Sequence, residues 1–184
     1  MKKISEKILF EGKWLCLCET VYEDKDGVAI AWESVRRKKT VSGVVIVAKL
    51  MPSKRFIIIK QFRPAIAGYI LSFPAGLSHG DPKHALVELK EETGYVGKIA
   101  LVSPPMKTGA SIIDDNGQIV YVGVDENDPA NRNPVQQLEP GEVIEVHLVK
   151  KEEAKNFLLK ENSRGTHISS NLWYFFVLSE MVLG

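Results

Sequence analysis

Residues 73–95 read FPAGLSHGDPKHALVELKEETGY. A Pro-Ala-Gly turn closes an apolar run, a short polar turn follows, and the segment ends on Thr93-Gly94. These signals predict a helix over residues 81–93. Asp81 is a good N-cap, Pro82 suits the first helical position, and Gly94 supplies a left-handed stop. Ala85, Leu86 and Leu89 form one apolar stripe. Glu88, Glu91 and Glu92, at i, i+3 and i+4, share the other face. Like charges at that spacing destabilise an isolated helix by roughly 0.2–0.5 kcal/mol per pair, and Lys90 lies off the acidic face. One reading is a solvated acidic face. The other is a site for a hard divalent cation, which takes carboxylate oxygens together with phosphate oxygens. On the helix alone the two stand level.

Working outward, residues 42–50 (SGVVIVAKL) are a nearly continuous β-branched run, the pattern of a strand covered on both faces. Further strands are expected at 55–62, 69–73, 96–102, 119–124 and 143–149, with helices at 150–160 and 168–183. Upstream, residues 8–22 and 28–37 read as two strands joined by the polar turn Glu23-Asp24-Lys25-Asp26-Gly27. The expectation is one α/β domain over residues 1–184, with residues 1–40 a self-contained hairpin arm. Residues 125–141 form a polar loop too long for a mere connection, and so either functional or mobile.

Composition narrows the function classes. The chain has 184 residues, 45% hydrophobic and 26% charged, with Lys plus Arg at 24 against 23 for Asp plus Glu. A net charge of +1 offers no field for nucleic acid or an anionic membrane. No apolar run approaches a membrane span, and the charged residues 1–15 do not form a signal peptide. Cytoplasm is the expected compartment. The four His are scattered, and Cys16 and Cys18 lie two apart, on one face of a strand. Two thiols make no zinc site alone, and small buried hydrophobes is the favoured reading.

The closing half of the quoted segment, Glu88-Leu89-Lys90-Glu91-Glu92-Thr93-Gly94-Tyr95, with Gly76 upstream, resembles the Nudix box, G-x5-E-x7-R-E-U-x-E-E-x-G-U. The resemblance extends to Gly12-Lys13-Trp14, Trp32-Glu33-Ser34-Val35-Arg36-Arg37, Lys60-Gln61-Phe62-Arg63-Pro64 and Glu142-Val143-Ile144-Glu145-Val146. These blocks look like the ADP-ribose pyrophosphatase branch, in family order, and several ordered blocks are far more specific than one motif. The box departs from the pattern in three ways. Eleven steps separate Gly76 from Val87, three fewer than the pattern requires. The first-half glutamate is gone, with His79, Gly80 and Asp81 in the shortened turn. Val87 replaces the Arg that orients the carboxylates, and Ser72 replaces a Glu that relatives often carry.

The resemblance implies an α/β/α sandwich around a mixed sheet and an Mg²⁺-dependent pyrophosphohydrolase, with Mn²⁺ as the alternative cation. Glu88 and Glu92 would be the main metal ligands, with Glu91 in the cluster and the carbonyl of Ala75 completing the shell. Glu91 and Glu142 would be catalytic, Glu142 as the base or water-orienting group, and Arg63 would clamp a phosphate. Trp14 and Trp32 would sandwich the base, with Glu33 and Arg37 contacting the ligand or a partner chain. The arm would be exchanged across a two-fold homodimer. Asp114 and Asp115, in a loop two residues longer than in relatives, are further candidates for metal or ribose, or a plain turn. The expected substrate is ADP-ribose or a related nucleoside diphosphate sugar, with neither nucleic acid nor membrane as partner. If the enzyme is efficient despite Val87, His79 or His84 are the nearest candidates for a replacement support; the alternative is a catalytically impaired domain that binds nucleotide sugars as a sensor.

Overall fold

A computed structural model describes residues 1–39, 42–78 and 80–178. The centre is built from the β-branched run: β4 (Ser42–Met51) lies parallel to β10 (Asn116–Asp125), from Asn116 opposite Ser42 to Asp125 opposite Met51. Around them are β5 (Phe56–Arg63), β6 (Gly68–Ser72), β7 (Ala75–Leu77), β8 (Lys98–Val102), β9 (Met106–Lys107), β11 (Ile144–Val149) and β12 (His167–Ile168). Among the described residues these make one nine-stranded mixed sheet, in the order β12-β6-β5-β4-β10-β8. Strand β11 also pairs with β5, β7 with β4, and β9 with β10.

Alternation along the strands explains the layers. Val44, Ile46, Ala48 and Leu50 of β4, with Val120, Val122 and Val124 of β10, turn to one face. There they meet Ala85 and Leu89 of helix α1 (His84–Thr93). Val47 turns the other way, and Phe56 and Ile58 join it from β5. These pack on Ala154 and Leu158 of α2 (Lys151–Ser163) and Leu172 of α3 (Ser170–Trp173). Both sheet faces are therefore covered, and the expected α/β/α layering with a mixed sheet is present.

The first correction concerns the arm, which has three strands rather than two: β1 (Lys2–Glu11), β2 (Leu15–Glu23) and β3 (Ala29–Arg37). The run at 8–22 breaks because the chain reverses at Gly12, whose N–H donates to Leu15 O at 2.9 Å. Every residue of β1 is exposed. The second concerns α1, which begins at His84. Residues 81–83 form tighter turns, His84 N to Asp81 O and Ala85 N to Pro82 O, while the Asp81 carboxylate still accepts from Lys83 N at 2.9 Å. The third concerns the expected helix at 168–183. In its place are β12, α3 and a five-residue π turn over Tyr174–Leu178, which turns Phe176 and Val177 into the core. Residues 179–183 of that expectation, and His79, lie outside the described residues.

Residues 125–141, read from the sequence as either functional or mobile, are fastened at several points. Buried Asn131 accepts from Val96 N and donates to Val96 O and Asp125 O, at 2.8, 2.9 and 2.9 Å. Gln136 Nε2 donates to Glu92 O and Ile144 O, and Gln137 N to Glu91 O. The loop crosses so close to the end of α1 that a Cβ on Gly94 (φ 78°) would stand 2.4 Å from Val135 N. Asn131→Ala leaves three backbone groups without partners, each costing about 1 kcal/mol or more when buried. The expected outcome is a stability loss of about 2–4 kcal/mol, read as a lower urea midpoint with an unchanged slope.

Candidate active site

Strand β7 is held on β4, with Val45 opposite Ala75 and Gly43 opposite Leu77, and α1 packs over it. The contact is very close. A Cβ on Gly76 would lie 2.0 Å from Glu88 Cδ, so any larger residue there would push the Glu88 side chain aside. One helical turn on, Glu92 is 5% exposed, and its Oε2 accepts from Ala75 N at 3.0 Å. The acidic face of α1 is thus pressed onto β7 rather than solvated. Ala75 contributes its amide to this contact.

The electrostatics follow from that placement. Burial pushes the Glu92 carboxyl up to about 8, opposed by the Ala75 amide and the positive charge of Arg63, and reinforced by Glu88 and Glu142. Glu88 is also raised, first by burial and then by Glu91, Glu142 and Glu139, with the Leu77 amide opposing. Arg63 and Glu142, far from α1 in sequence, therefore share its field. Glu139, which sequence reasoning missed, belongs to the same group. Its only signal was its place three residues before Glu142, whose Oε2 accepts from Glu139 N at 3.0 Å. Glu142 is exposed on the anchored segment.

Among the described residues, no three His, Cys, Asp or Glu side chains stand close enough to enclose a metal by themselves. A cation such as Mg²⁺ keeps several waters and uses one or two carboxylates plus substrate phosphate oxygens, so a closed cage is not what it needs. An all-oxygen set of Glu88 and Glu92, each destabilised as a carboxylate by burial and like charge, fits that demand. Val87 is 50% exposed, so the position where the family pattern has Arg projects a half-exposed apolar side chain. Ser72 instead accepts from Gln61 Nε2 at 3.4 Å.

The aromatic pair is exposed, Trp14 at 67% and Trp32 at 55%, so neither is core. Within one chain they do not meet. Trp14 lines a cavity of about 380 Å³ with Phe10 and Cys16. Trp32 lines another of about 410 Å³ with Tyr22, Arg36 and Lys107. The Trp32 indole N–H donates to Ser111 O at 3.0 Å, and Val35 N donates to Ile112 O, so the 109–115 loop lies along β3. Arg37 pairs with Asp115 at 3.0 Å, and Lys107 with Asp114. Those two aspartates are thus turned to cations of the arm and of β9. Glu33 stands opposite Glu19, exposed.

The chain is 34% identical over 152 residues to the ADP-sugar pyrophosphatase of Mus musculus, covering 77% of this chain and 70% of that protein. The chain belongs to the Nudix hydrolase family. The ADP-ribose pyrophosphatase of Saccharomyces cerevisiae shares 33% over 171 residues, with 87% and 74% covered. An uncharacterized Nudix hydrolase of Schizosaccharomyces pombe shares 32% over 177 residues, with 90% and 85% covered. No protein-family model matches the chain. The crystal structure of an ADP compounds hydrolase superposes with a TM-score of 0.63 at 18% identity, over 86% of this chain and 84% of that one. Its likeness establishes the fold. This Nudix hydrolase thus sits in the ADP-ribose/ADP-sugar pyrophosphatase branch, as the ordered blocks implied.

The raised Glu92 carboxyl fixes a sign for stability. Below its ordinary value of 4.5 both folded and unfolded chains hold the proton, and between 4.5 and about 8 only the folded chain does. Metal-free protein therefore loses stability as pH rises through that window and levels off above it. Glu92→Gln should flatten the decline and stabilise the metal-free protein at pH 8 by on the order of 1–3 kcal/mol, as measured by denaturant titration at pH 5 and pH 8.

Proposed function

We propose that this Nudix hydrolase cleaves ADP-ribose or a related nucleoside diphosphate sugar to a nucleoside monophosphate and a sugar phosphate, with Mg²⁺, or Mn²⁺ in its place. The observation that carries the reading is the buried Glu92 carboxylate beside Glu88, with Arg63 and Glu142 in the same field. The cation supplies charge neutralisation at the pyrophosphate and a more acidic water. Glu88 and Glu92 hold it, Glu91 supports the cluster, and Ala75 fixes Glu92 through its amide. Arg63 engages a phosphate with its planar fork. Glu142, braced by the Glu139 amide, accepts the proton from the attacking water.

Trp14 and Trp32 take the base, and since they line separate cavities of one chain, the sandwich needs a second copy. Exposed Ile8 and Phe10 on an uncovered β1 support a homodimer joined through the arm. Glu33 and Arg37, on the other face of β3 from Trp32, contact the ligand or the partner chain. The 184 residues act as one domain, in the cytoplasm, with neither nucleic acid nor membrane as partner. Among the described residues no helix is long and apolar enough to cross a membrane. A second reading, a sensor that binds nucleotide sugars without turnover, is favoured by one observation, the half-exposed Val87 in place of an orienting Arg.

A panel of nucleoside diphosphate sugars incubated with Mg²⁺ and assayed for released monophosphate separates the two readings. ADP-ribose turnover by wild type, lost at least about 100-fold in Glu92→Gln with the fold intact, is the expected result. Binding without turnover selects the sensor. Trp32→Ala should raise KM or Kd by the equivalent of about 1–3 kcal/mol, the worth of a base–aromatic stack, with little change in kcat. An unaltered KM in that variant removes Trp32 from the site.

A further inference from the structure

The arm carries two thiols for which hydrolysis has no use. Cys16 and Cys18 point to the same face of β2, and their Sγ atoms are 3.9 Å apart. Cys18 is fully buried and Cys16 is 8% exposed. Arg36, opposite Cys16 in the β2–β3 register, donates from Nη2 to Cys18 Sγ at 3.2 Å, while Cys16 Sγ–H faces Arg36 O at 3.6 Å. The same guanidinium pairs with Glu6 of β1. Buried thiols serving as small hydrophobes need neither sulfur–sulfur contact nor a cation. The Arg36 guanidinium fixes the Cys18 sulfur against Cys16, whose thiol is pushed up by burial and by the Cys18 sulfur, with the Arg36 charge opposing. Access is also present, because Cys16 lines the 380 Å³ cavity beside Phe10, Trp14 and Leu17.

We propose that Cys16 and Cys18 are a redox-active dithiol, closed to an intrachain disulfide by a peroxide and reopened by a small thiol of the glutathione class. In the first step Cys16, which lines the cavity, gives up its proton and its sulfur attacks one peroxide oxygen. An S–O bond forms, the O–O bond breaks, and the departing hydroxide takes a proton to become water. In the second, Cys18, its proton lost, attacks the Cys16 sulfur. The S–S bond forms, the S–O bond breaks, and a second water leaves. Two electrons and two protons pass from the thiols to the peroxide. Two molecules of the small thiol reverse the change and become its disulfide.

The geometry makes this bond a labile one. The sulfurs must close from 3.9 Å to about 2.05 Å. Residues two apart in a strand have Cα atoms about 6.6–6.8 Å apart, the long edge of what a disulfide tolerates. Closing it bends β2, and a strained disulfide is readily reduced, as befits a sensing pair rather than a structural staple. The Cys18 sulfur is drawn from Arg36, the residue that also ties β1 to the arm through Glu6.

The test uses the native full chain and does not depend on its hydrolytic activity. Protein is exposed to hydrogen peroxide, unfolded in iodoacetamide, and weighed intact. The expected result is a loss of about 2 Da with neither thiol alkylated, and both alkylated again after glutathione. Cys16→Ala and Cys18→Ala each abolish the loss, and Arg36→Met slows it by about tenfold. The proposal is overturned if both thiols of wild type remain alkylatable after peroxide. It is equally overturned if oxygen adds irreversibly to a single sulfur or the bond forms between chains. These readouts on wild type decide the matter even where a variant fails to fold.

Discussion

The hydrogen bond from the Ala75 amide to the Glu92 carboxylate joins a strand at the centre of the sheet to the acidic face of α1. Beside it, Gly76 lets the Glu88 side chain lie directly against β7. These contacts are made by the same helix that packs Ala85 and Leu89 onto the layer formed by Val44, Ile46 and Ala48. They also take two carboxylates out of water. Burying a charge is costly unless it is paired or coordinated, and a shifted protonation equilibrium is the usual compensation. The protein therefore stores an electrostatic penalty at Glu88 and Glu92.

What was legible in the sequence is what local chemistry fixes. Periodicity placed α1 and its acid face, and the β-branched run at residues 42–50 placed the doubly covered central strand. The ordered blocks around the box placed the family. Boundaries were less legible, because tertiary contacts set them. Asp81 keeps its capping bond, yet the helix proper starts three residues later, after turns that close i to i+3. The arm was read with one strand too few because residues 8–22 carry no strong break except Gly12, whose amide bond to Leu15 O is visible only in three dimensions. The C-terminal apolar run has helical composition, but packing of Phe176 and Val177 into the second layer winds it as a π turn.

The segment 125–141 shows the limit most clearly. Its Asn, Asp and Pro content reads as functional or mobile, and composition carries no trace of the partners that fasten it. Asn131 satisfies backbone groups on two other segments, and Gln136 bridges the end of α1 to β11. Because Gln136 and Gln137 bond the carbonyls of Glu92 and Glu91, the segment that carries Glu139 and Glu142 is tied to the end of the helix it faces. The missing box Arg thus leaves a site whose geometry has a second source of rigidity.

The parallel pairing of β4 with β10 bears on how the chain acquires this structure. Each partner in that ladder is separated by 74 residues, from Ser42 with Asn116 to Met51 with Asp125. Non-local pairing of this kind must close a long loop before any contact rewards it, which slows folding and exposes apolar strands meanwhile. During synthesis the Ser42–Met51 strand, almost wholly apolar, leaves the ribosome well before its neighbour exists. The nascent chain passes through an interval in which the β10 edge of this apolar strand is unpaired, the kind of transient exposure that makes folding intermediates prone to aggregate.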